Sequence, residues 1–401
     1  MASQKIAIPK EFQRELRYVE LLDKRTDNEI LDELTTHVTI TSEKNVWTYW
    51  HAGVRAMPSW CQRNVVNWVR LLGPSWTVRV LDAVPGSPNH ALNFIDASQL
   101  PETFVKGTME GPYTGPHSAD FLRCAALYKY GGAWMDVGIL LFRHLDKICW
   151  DKLEDESNDY SICVPWMFAQ HIANHFVCAR KGDQFIGKWH SLFMHFWQNQ
   201  SDHTGIIQSP LIAFVHKFKF EESEKRGYHW DFKVDELTVL GYIGQVIAFI
   251  RLAWLQEPNE GFNGVEYYQK KILLYDSLAE DWAAEPIVGF AGEGLFKVLS
   301  TSRNADPESD EYKLAYRTVW RLLTKSGMQK VTHGKHLMKT PALGVFLDKP
   351  ENQELDLKEG TFFELLRYGS VHFEQTRESS EYVEPKLPDE DQIIKKGIFE
   401  A

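Results

Sequence analysis

Asp120 and Arg123, three residues apart, and Asp136 further along are the side chains of this chain best placed to do polar chemistry. The first two lie in His117-Ser118-Ala119-Asp120-Phe121-Leu122-Arg123. The third ends Leu127-Tyr128-Lys129-Tyr130-Gly131-Gly132-Ala133-Trp134-Met135-Asp136. That run reads as a helix end, a double-glycine stop and a buried strand finishing on a carboxylate. A charge at the end of an apolar strand is costly unless a cation or hydrogen-bond donors meet it. A divalent cation carrying a nucleotide-sugar diphosphate is one such partner. The alternative is a structural carboxylate that caps the turn beside Gly138. Asp120 and Arg123 share a helix face, and by spacing alone they read as an ordinary ion pair worth roughly a few tenths of a kcal/mol.

The elements that must position these groups follow from pattern. Residues 1–45 are charge-rich, with Leu16, Val19, Leu22, Ile30, Leu31 and Leu34 at helical spacing, and read as a helical N-terminal arm. Residues 46–50, Val-Trp-Thr-Tyr-Trp, read as a first strand, residues 58–71 as a helix with Ser59 as its cap, and residues 76–82 as a second strand. Strand, helix, strand is a βαβ unit and implies a parallel sheet. Ser118 is read as the cap of the next helix, with Asp120 in its first turn where the dipole favours an acid. Gly131-Gly132 stops that helix. Strands follow over residues 133–136 and 139–142, with Gly138 a bend between them, and over residues 160–166. Residues 185–197 and 237–255 read as helices, residues 221–226 as a charged loop or helix end, and residues 304–311 as a surface loop. The tail from Glu374 is charged and reads as partly flexible.

Composition narrows the function. A chain of 401 residues with 44% hydrophobic content can bury a substantial core. The net charge of −11 argues against nucleic acid and anionic lipid as general partners. Five cysteines without a C-x-x-C pair point to reduced, buried thiols and a cytoplasmic setting. No apolar run is long enough for a signal peptide or a transmembrane helix. The G-x-G-x-x-G of a dinucleotide-dependent reductase is missing after the first strand, where the chain reads His51-Ala52-Gly53-Val54-Arg55.

The same residues carry a resemblance. The Gly-Gly-x-Trp-x-Asp run from Gly131 to Asp136, with Asp120-Phe121-Leu122-Arg123 upstream, resembles the core of the sugar-transferase superfamily marked by an Asp-x-Asp motif. More narrowly, the chain is similar to the capsular-polysaccharide-synthesis type, close to glycosyltransferase family 32. The strand at residues 46–50 with Gly53 and Met57-Pro58, the Trp68–Leu81 stretch with Pro74-Ser75-Trp76, and Ala173-Asn174-His175-Phe176 with Ser209-Pro210-Leu211 extend the likeness over residues 45–250.

The resemblance implies an α/β fold of the GT-A type, with a Rossmann-like, mostly parallel sheet flanked by helices. It implies a catalytic domain over residues 46–335, its donor-nucleotide half at 46–150 and its acceptor half at 151–335, followed by an extension at 336–401. It implies hexosyl transfer with retention from a UDP- or GDP-sugar to a hydroxyl acceptor, with bound Mn²⁺ or Mg²⁺. The acceptor expected is a small molecule or lipid-like metabolite. Asp136, Asp120 and Arg123 are the implied catalytic set. Trp47, Tyr49, Trp50 and Gly132 join them around the donor, although core packing is the competing reading for each ring. Asn174, His175, Asp235 and Glu236 are implied on the acceptor side, with Asp235 alternatively a plain helix cap. His333 is implied as a second metal ligand beside Asp136, with His336 and His372 as weaker choices; the competing reading is a loop histidine. One departure stands out: the triplet is Asp136-Val137-Gly138, so the second acid is missing. That gap motivates the alternative of a protein of this fold that binds sugar nucleotide or glycan with little or no turnover.

Overall fold

The computed structural model describes residues 5–167, 171–217, 221–225, 230–334 and 336–401. Its strands are β1 Leu16–Tyr18, β2 Asn45–Tyr49, β3 Thr77–Leu81, β4 Gly132–Met135, β5 Ile139–Leu141, β6 Ile162–Met167, β7 His171–Ile172, β8 Phe176–Ala179, β9 Ile272–Asp276, β10 Met328–Lys330, β11 Phe373–Gln375 and β12 Tyr382–Val383. The central sheet has the order β12-β9-β6-β8-β4-β2-β3, with β7 paired to β6. The pairs β2–β3, β2–β4 and β6–β9 are parallel, whereas β8 runs antiparallel to both β4 and β6. Five strands therefore share one direction, and the expected α/β class with a mostly parallel sheet holds.

The strands are buried on both faces, and their side chains alternate between two cores. Val46, Ala133 and Met135 point into one, Trp47 and Trp134 into the other. The first core takes Trp60, Val65 and Trp68 from the helix Ser59–Leu72, with Leu322 of Asp310–Lys325 and Leu366 of Phe362–His372. The second takes Phe121 and Leu122 of Thr114–Tyr130, Trp189 of Gln184–Phe196 and Ile247 of Gly244–Ala253. Together they put helices on both sides of the sheet.

Four local expectations change, and one strand leaves the main sheet. Leu16 lies on a strand: β1 pairs antiparallel with β11, and the described part of the N-terminal arm is α-helical over Asp27–Glu33, with a single 3-10 turn at Lys10–Phe12. Cross-strand pairing with a segment more than 350 residues away outweighs a local helical spacing. Ser118 is interior to its helix, which starts at Thr114, and its hydroxyl donates to the Thr114 carbonyl at 2.7 Å. Asp120 thus sits in the second turn. β5 leaves the main sheet and pairs with β10. The single helix expected over residues 237–255 is two, Glu236–Tyr242 and Gly244–Ala253, bent by 76°. Among the described residues no single helix is long and apolar enough to cross a membrane. The tail is docked: β12 extends the sheet beside β9, and the Arg251 guanidinium donates to the carbonyls of Gly397, Ile398 and Glu400. Of the stretch expected at residues 221–226, Glu221–Lys225 is a short helix and Arg226 lies outside the described residues.

Candidate active site

Two glycines bring Asp136 to its place. Gly131 ends the Thr114–Tyr130 helix with φ 73°, and Gly132 opens β4 with φ 105°, both in the region that favours glycine. A Cβ on Gly132 would stand 2.2 Å from the Asn45 carbonyl oxygen, so only glycine lets β4 close against β2. Gly132 shapes the start of the strand. Asp136 follows β4 at its C-terminal end, the edge at which α/β sheets bind ligands. Its backbone N–H donates to the His175 carbonyl at 2.9 Å.

The Asp136 carboxylate meets two cations. Lys330 Nζ lies 2.8 Å from Oδ2. Oδ1 accepts from Trp134 Nε1 at 3.1 Å and faces Arg123 Nη2 at 3.4 Å. Burial opposes ionisation here, but the Lys330 charge, then that of Arg123, overcomes it and lowers the pKa to about 2. The Asp136 side chain keeps 30% of its surface exposed, against 3% for Arg123 and 8% for Lys330. The Asp136 side chain is thus the most open of the three, with Lys330 and Arg123 packed around it.

Asp120 and Arg123 are joined to this group. Arg123 Nη1 meets Asp120 Oδ1 at 2.5 Å and also donates to Gln245 Oε1. Asn174 Nδ2 donates to Asp120 Oδ1 at 3.1 Å and to Gln245 Oε1 at 2.9 Å. Gln245 Nε2 returns a bond to the Asp120 carbonyl at 2.7 Å. Arg123 thus bridges the two carboxylates, with its guanidinium 5.3 Å from the Trp134 ring centre. This is a buried network and no surface ion pair, so its disruption is costly.

Rings close one side of Asp120. His117 Nδ1 lies 3.4 Å from Asp120 Oδ2. The His117 ring stands 5.2 Å from His203 and 5.4 Å from Tyr242, and Tyr113 lies 4.8 Å from Tyr242. Burial, reinforced by the charges of Asp120 and Asp136, raises the Tyr242 hydroxyl pKa above its ordinary value. Exposed His336 borders Tyr113 with ring centres 6.2 Å apart.

The remaining expected residues divide. Tyr49 is buried and half-buried Trp50 follows it, both at the C-terminal edge of β2. Trp47 is a core residue: it is fully buried, donates from Nε1 to the Gly131 carbonyl at 3.0 Å and stacks on Tyr130. It lies two residues before Tyr49 on the same face of β2, in mid-strand and packed away from the C-terminal edge. His175 is near Asp136 through its backbone, but its ring pairs with buried Asp281 at 2.5 Å. Asp235 caps the Glu236–Tyr242 helix, accepting from the Thr238 N–H at 3.0 Å, which is the plain cap anticipated as its alternative; Glu236 is in the first turn of that helix. His372 stacks on Tyr368 and faces the Val19 carbonyl, in the β1–β11 region.

Lys330, Gln245 and Tyr242 are the site residues that the sequence pattern does not reveal. Lys330 sits in Met-Gln-Lys-Val, which carries no motif, and reaches Asp136 only because β10 pairs with β5. Gln245 opens a helix whose composition reads as plain core.

The donor set does not suit a resident divalent cation. Mg²⁺ and Mn²⁺ want several oxygen ligands in an octahedron. Both Asp136 oxygens already face donors, and Asp120 is held by Arg123 and Asn174. The position of the second acid is closed: a Cβ on Gly138 would fall 2.2 Å from Thr332 Oγ1. His333 Nδ1 is buried without a partner, but no bond joins His333 to Asp136, and the Lys330 charge acts against a cation there. Among the described residues no group of three or more His, Cys, Asp or Glu side chains is placed to hold a metal.

Comparison with known proteins places this geometry in context. The sequence model of the family described as "Capsular polysaccharide synthesis protein" matches residues 2–208. The probable glycosyltransferase FCK3 of Fusarium pseudograminearum is 48% identical over 98% of this chain and 99% of its own length. The O-glycosyltransferase braB of Annulohypoxylon truncatum is 36% identical over 94% of this chain and 91% of its own. The O-glycosyltransferase PaGT of Phomopsis amygdali is 35% identical over 89% and 88% respectively.

Proposed function

This chain belongs to the capsular polysaccharide synthesis protein family and is a glycosyltransferase, and we propose that it moves a hexose from a UDP- or GDP-sugar to a hydroxyl of a small-molecule acceptor, with retention of configuration. The observation that carries the reading is the half-open Asp136 carboxylate at the sheet's C-terminal edge, backed by buried Lys330 and Arg123. Asp120, fixed by Arg123 and Asn174, accepts hydrogen bonds from donor-sugar hydroxyls. Tyr49 and Trp50 flank the nucleotide. Tyr242 and His336 offer ring faces to the acceptor, a role that suits an apolar metabolite. As the glycosidic bond breaks, negative charge grows on the diphosphate, and fixed cations aimed at that charge lower the barrier. The glycosidic and acceptor oxygens share one face of the sugar, and the released diphosphate takes the acceptor's proton. The five buried, unpaired cysteines support a cytosolic setting.

A nucleotide that binds the native state alone must raise its melting temperature. The expected result of a thermal-shift screen is a rise with UDP or GDP and the matching sugar nucleotide. Asp120→Asn and Asp136→Asn are expected to lower kcat/KM for donor hydrolysis by about 100-fold or more. A flat screen across all nucleotides sinks the reading. Intact donor binding without turnover in the unmutated protein favours the binding-only alternative that Gly138 motivates.

A further inference from the structure

We propose that sugar transfer by this chain requires no divalent cation, and that Lys330, with Arg123 behind it, supplies the positive charge that the leaving diphosphate meets. The inference rests on the transferase reading above.

Three observations carry it. The first is occupancy. Lys330 Nζ sits 2.8 Å from Asp136 Oδ2, on the one carboxylate the motif retains. A cation binding there must displace an ammonium that is only 8% exposed and whose backbone is held on both sides. Its N–H donates to the Asp281 carbonyl at 2.7 Å, and β10 is paired with β5. The second is closure. Val331 N–H donates to the Gly138 carbonyl at 2.9 Å, Asn64 Nδ2 donates to the Val137 carbonyl at 2.8 Å, and Thr332 fills the space a side chain at position 138 would need. The triplet is thus pinned in a form that has no room for a second acid. The third is charge. Each of the two acids, Asp120 and Asp136, already faces a cation, Arg123 or Lys330, and those fixed charges oppose the entry of a further positive ion.

An ammonium has three donors. One lies on Asp136, which leaves two for phosphate oxygens. In the step, the bond from the sugar C1 to the diphosphate oxygen breaks and its electron pair stays on that oxygen. Lys330 donates hydrogen bonds to the oxygens that gain charge. The acceptor oxygen forms the new bond to C1, and its proton passes to the released diphosphate.

The test uses the full chain, with UDP, GDP, UDP-glucose and GDP-mannose as probes. Thermal shift and donor turnover are measured after exhaustive EDTA treatment and again with added Mn²⁺ or Mg²⁺. The expected result is a shift and a turnover that differ by no more than about twofold between the two conditions. Lys330→Met is expected to lose about 100-fold or more of its turnover in EDTA and to gain stimulation by Mn²⁺, because Asp136 is bared. Lys330→Arg is expected to stay indifferent to metal. EDTA that abolishes binding or turnover in the unmutated protein, with recovery on adding Mn²⁺, overturns the inference and leaves the transferase reading standing. A Lys330→Met protein as active in EDTA as its parent overturns the role of Lys330. Should that variant fail to fold, the unmutated protein and Lys330→Arg decide the matter. A chain that binds no probe in either condition brings down the transferase reading and this inference together.

Discussion

Asp136 carries opposite demands on one side chain. Burial penalises its charge, and two cations restore it, so the carboxylate stays ionised far below the usual range. Asp120 is bonded to the other side of Arg123 and to Asn174. Removing either acid leaves a buried guanidinium short of a partner, which costs about 3–5 kcal/mol when the whole pair is broken. Asp120→Ala is therefore expected to be markedly less stable than Asp120→Asn, which keeps a hydrogen-bond acceptor; urea midpoints of the two variants check this. Glu285 behaves in the reverse sense. It is buried, Gln329 Nε2 donates to its carboxyl oxygens at 3.0 and 3.1 Å, and burial raises its pKa to about 8. The folded protein thus holds a proton that the unfolded chain releases near pH ~4.3. The stability from this group is full below about pH 4.3 and declines as pH rises toward about 8. Glu285→Gln is expected to remove that slope, read as the difference in urea midpoint between about pH 5 and about pH 8 for variant and parent.

At the scale of elements, the site is the product of one tight junction and one strand exchange. The junction is Gly131-Gly132, legible in the sequence as a helix stop before a strand. The exchange is β10 crossing to β5, which delivers Lys330 to Asp136 and Thr332 to Gly138. Restoring the motif acid tests that exchange. Gly138→Asp is expected to destabilise the fold by about 1–3 kcal/mol through overpacking against Thr332, without conferring metal-dependent stabilisation; melting with and without Mn²⁺ measures both. The Asp120-Phe121-Leu122-Arg123 helix and the β4 carboxylate were readable because motif spacing and local period coincide there. The Lys330 strand was not, because a three-residue strand in a polar stretch has no local pattern to distinguish it. Ser118 misled for a related reason: a serine inside a helix and a serine at its cap look alike until the hydrogen bonds are known.

For the molecule as a whole, the C-terminal segment acts as a clasp over the sheet. Arg377 meets buried Glu280 through two bonds, at 2.6 and 2.8 Å, and the Glu381 N–H adds a third at 2.7 Å. Glu280 in turn accepts from the Gly327 N–H at 2.8 Å, next to the strand that carries Lys330. Arg377→Ala is expected to cost about 3–5 kcal/mol, since it leaves a buried carboxylate without its cation. Chemical denaturation measures that loss, and donor turnover at a temperature where the variant stays folded shows whether β10 keeps its place.

The resemblance to a known family singled out Asp120, Arg123 and Asp136, while local pattern was enough for the α/β class, the βαβ opening and the glycine junction. These depend on periods of two and about 3.6 residues and on the conformations only glycine adopts, all of which act between near neighbours. Folding in three dimensions was needed to pack Trp47 into the core, dock the tail and bring a lysine nearly two hundred residues away beside Asp136. Those outcomes depend on which segments pair across the chain, and pairing energy is set by the partner that arrives and by the burial it produces.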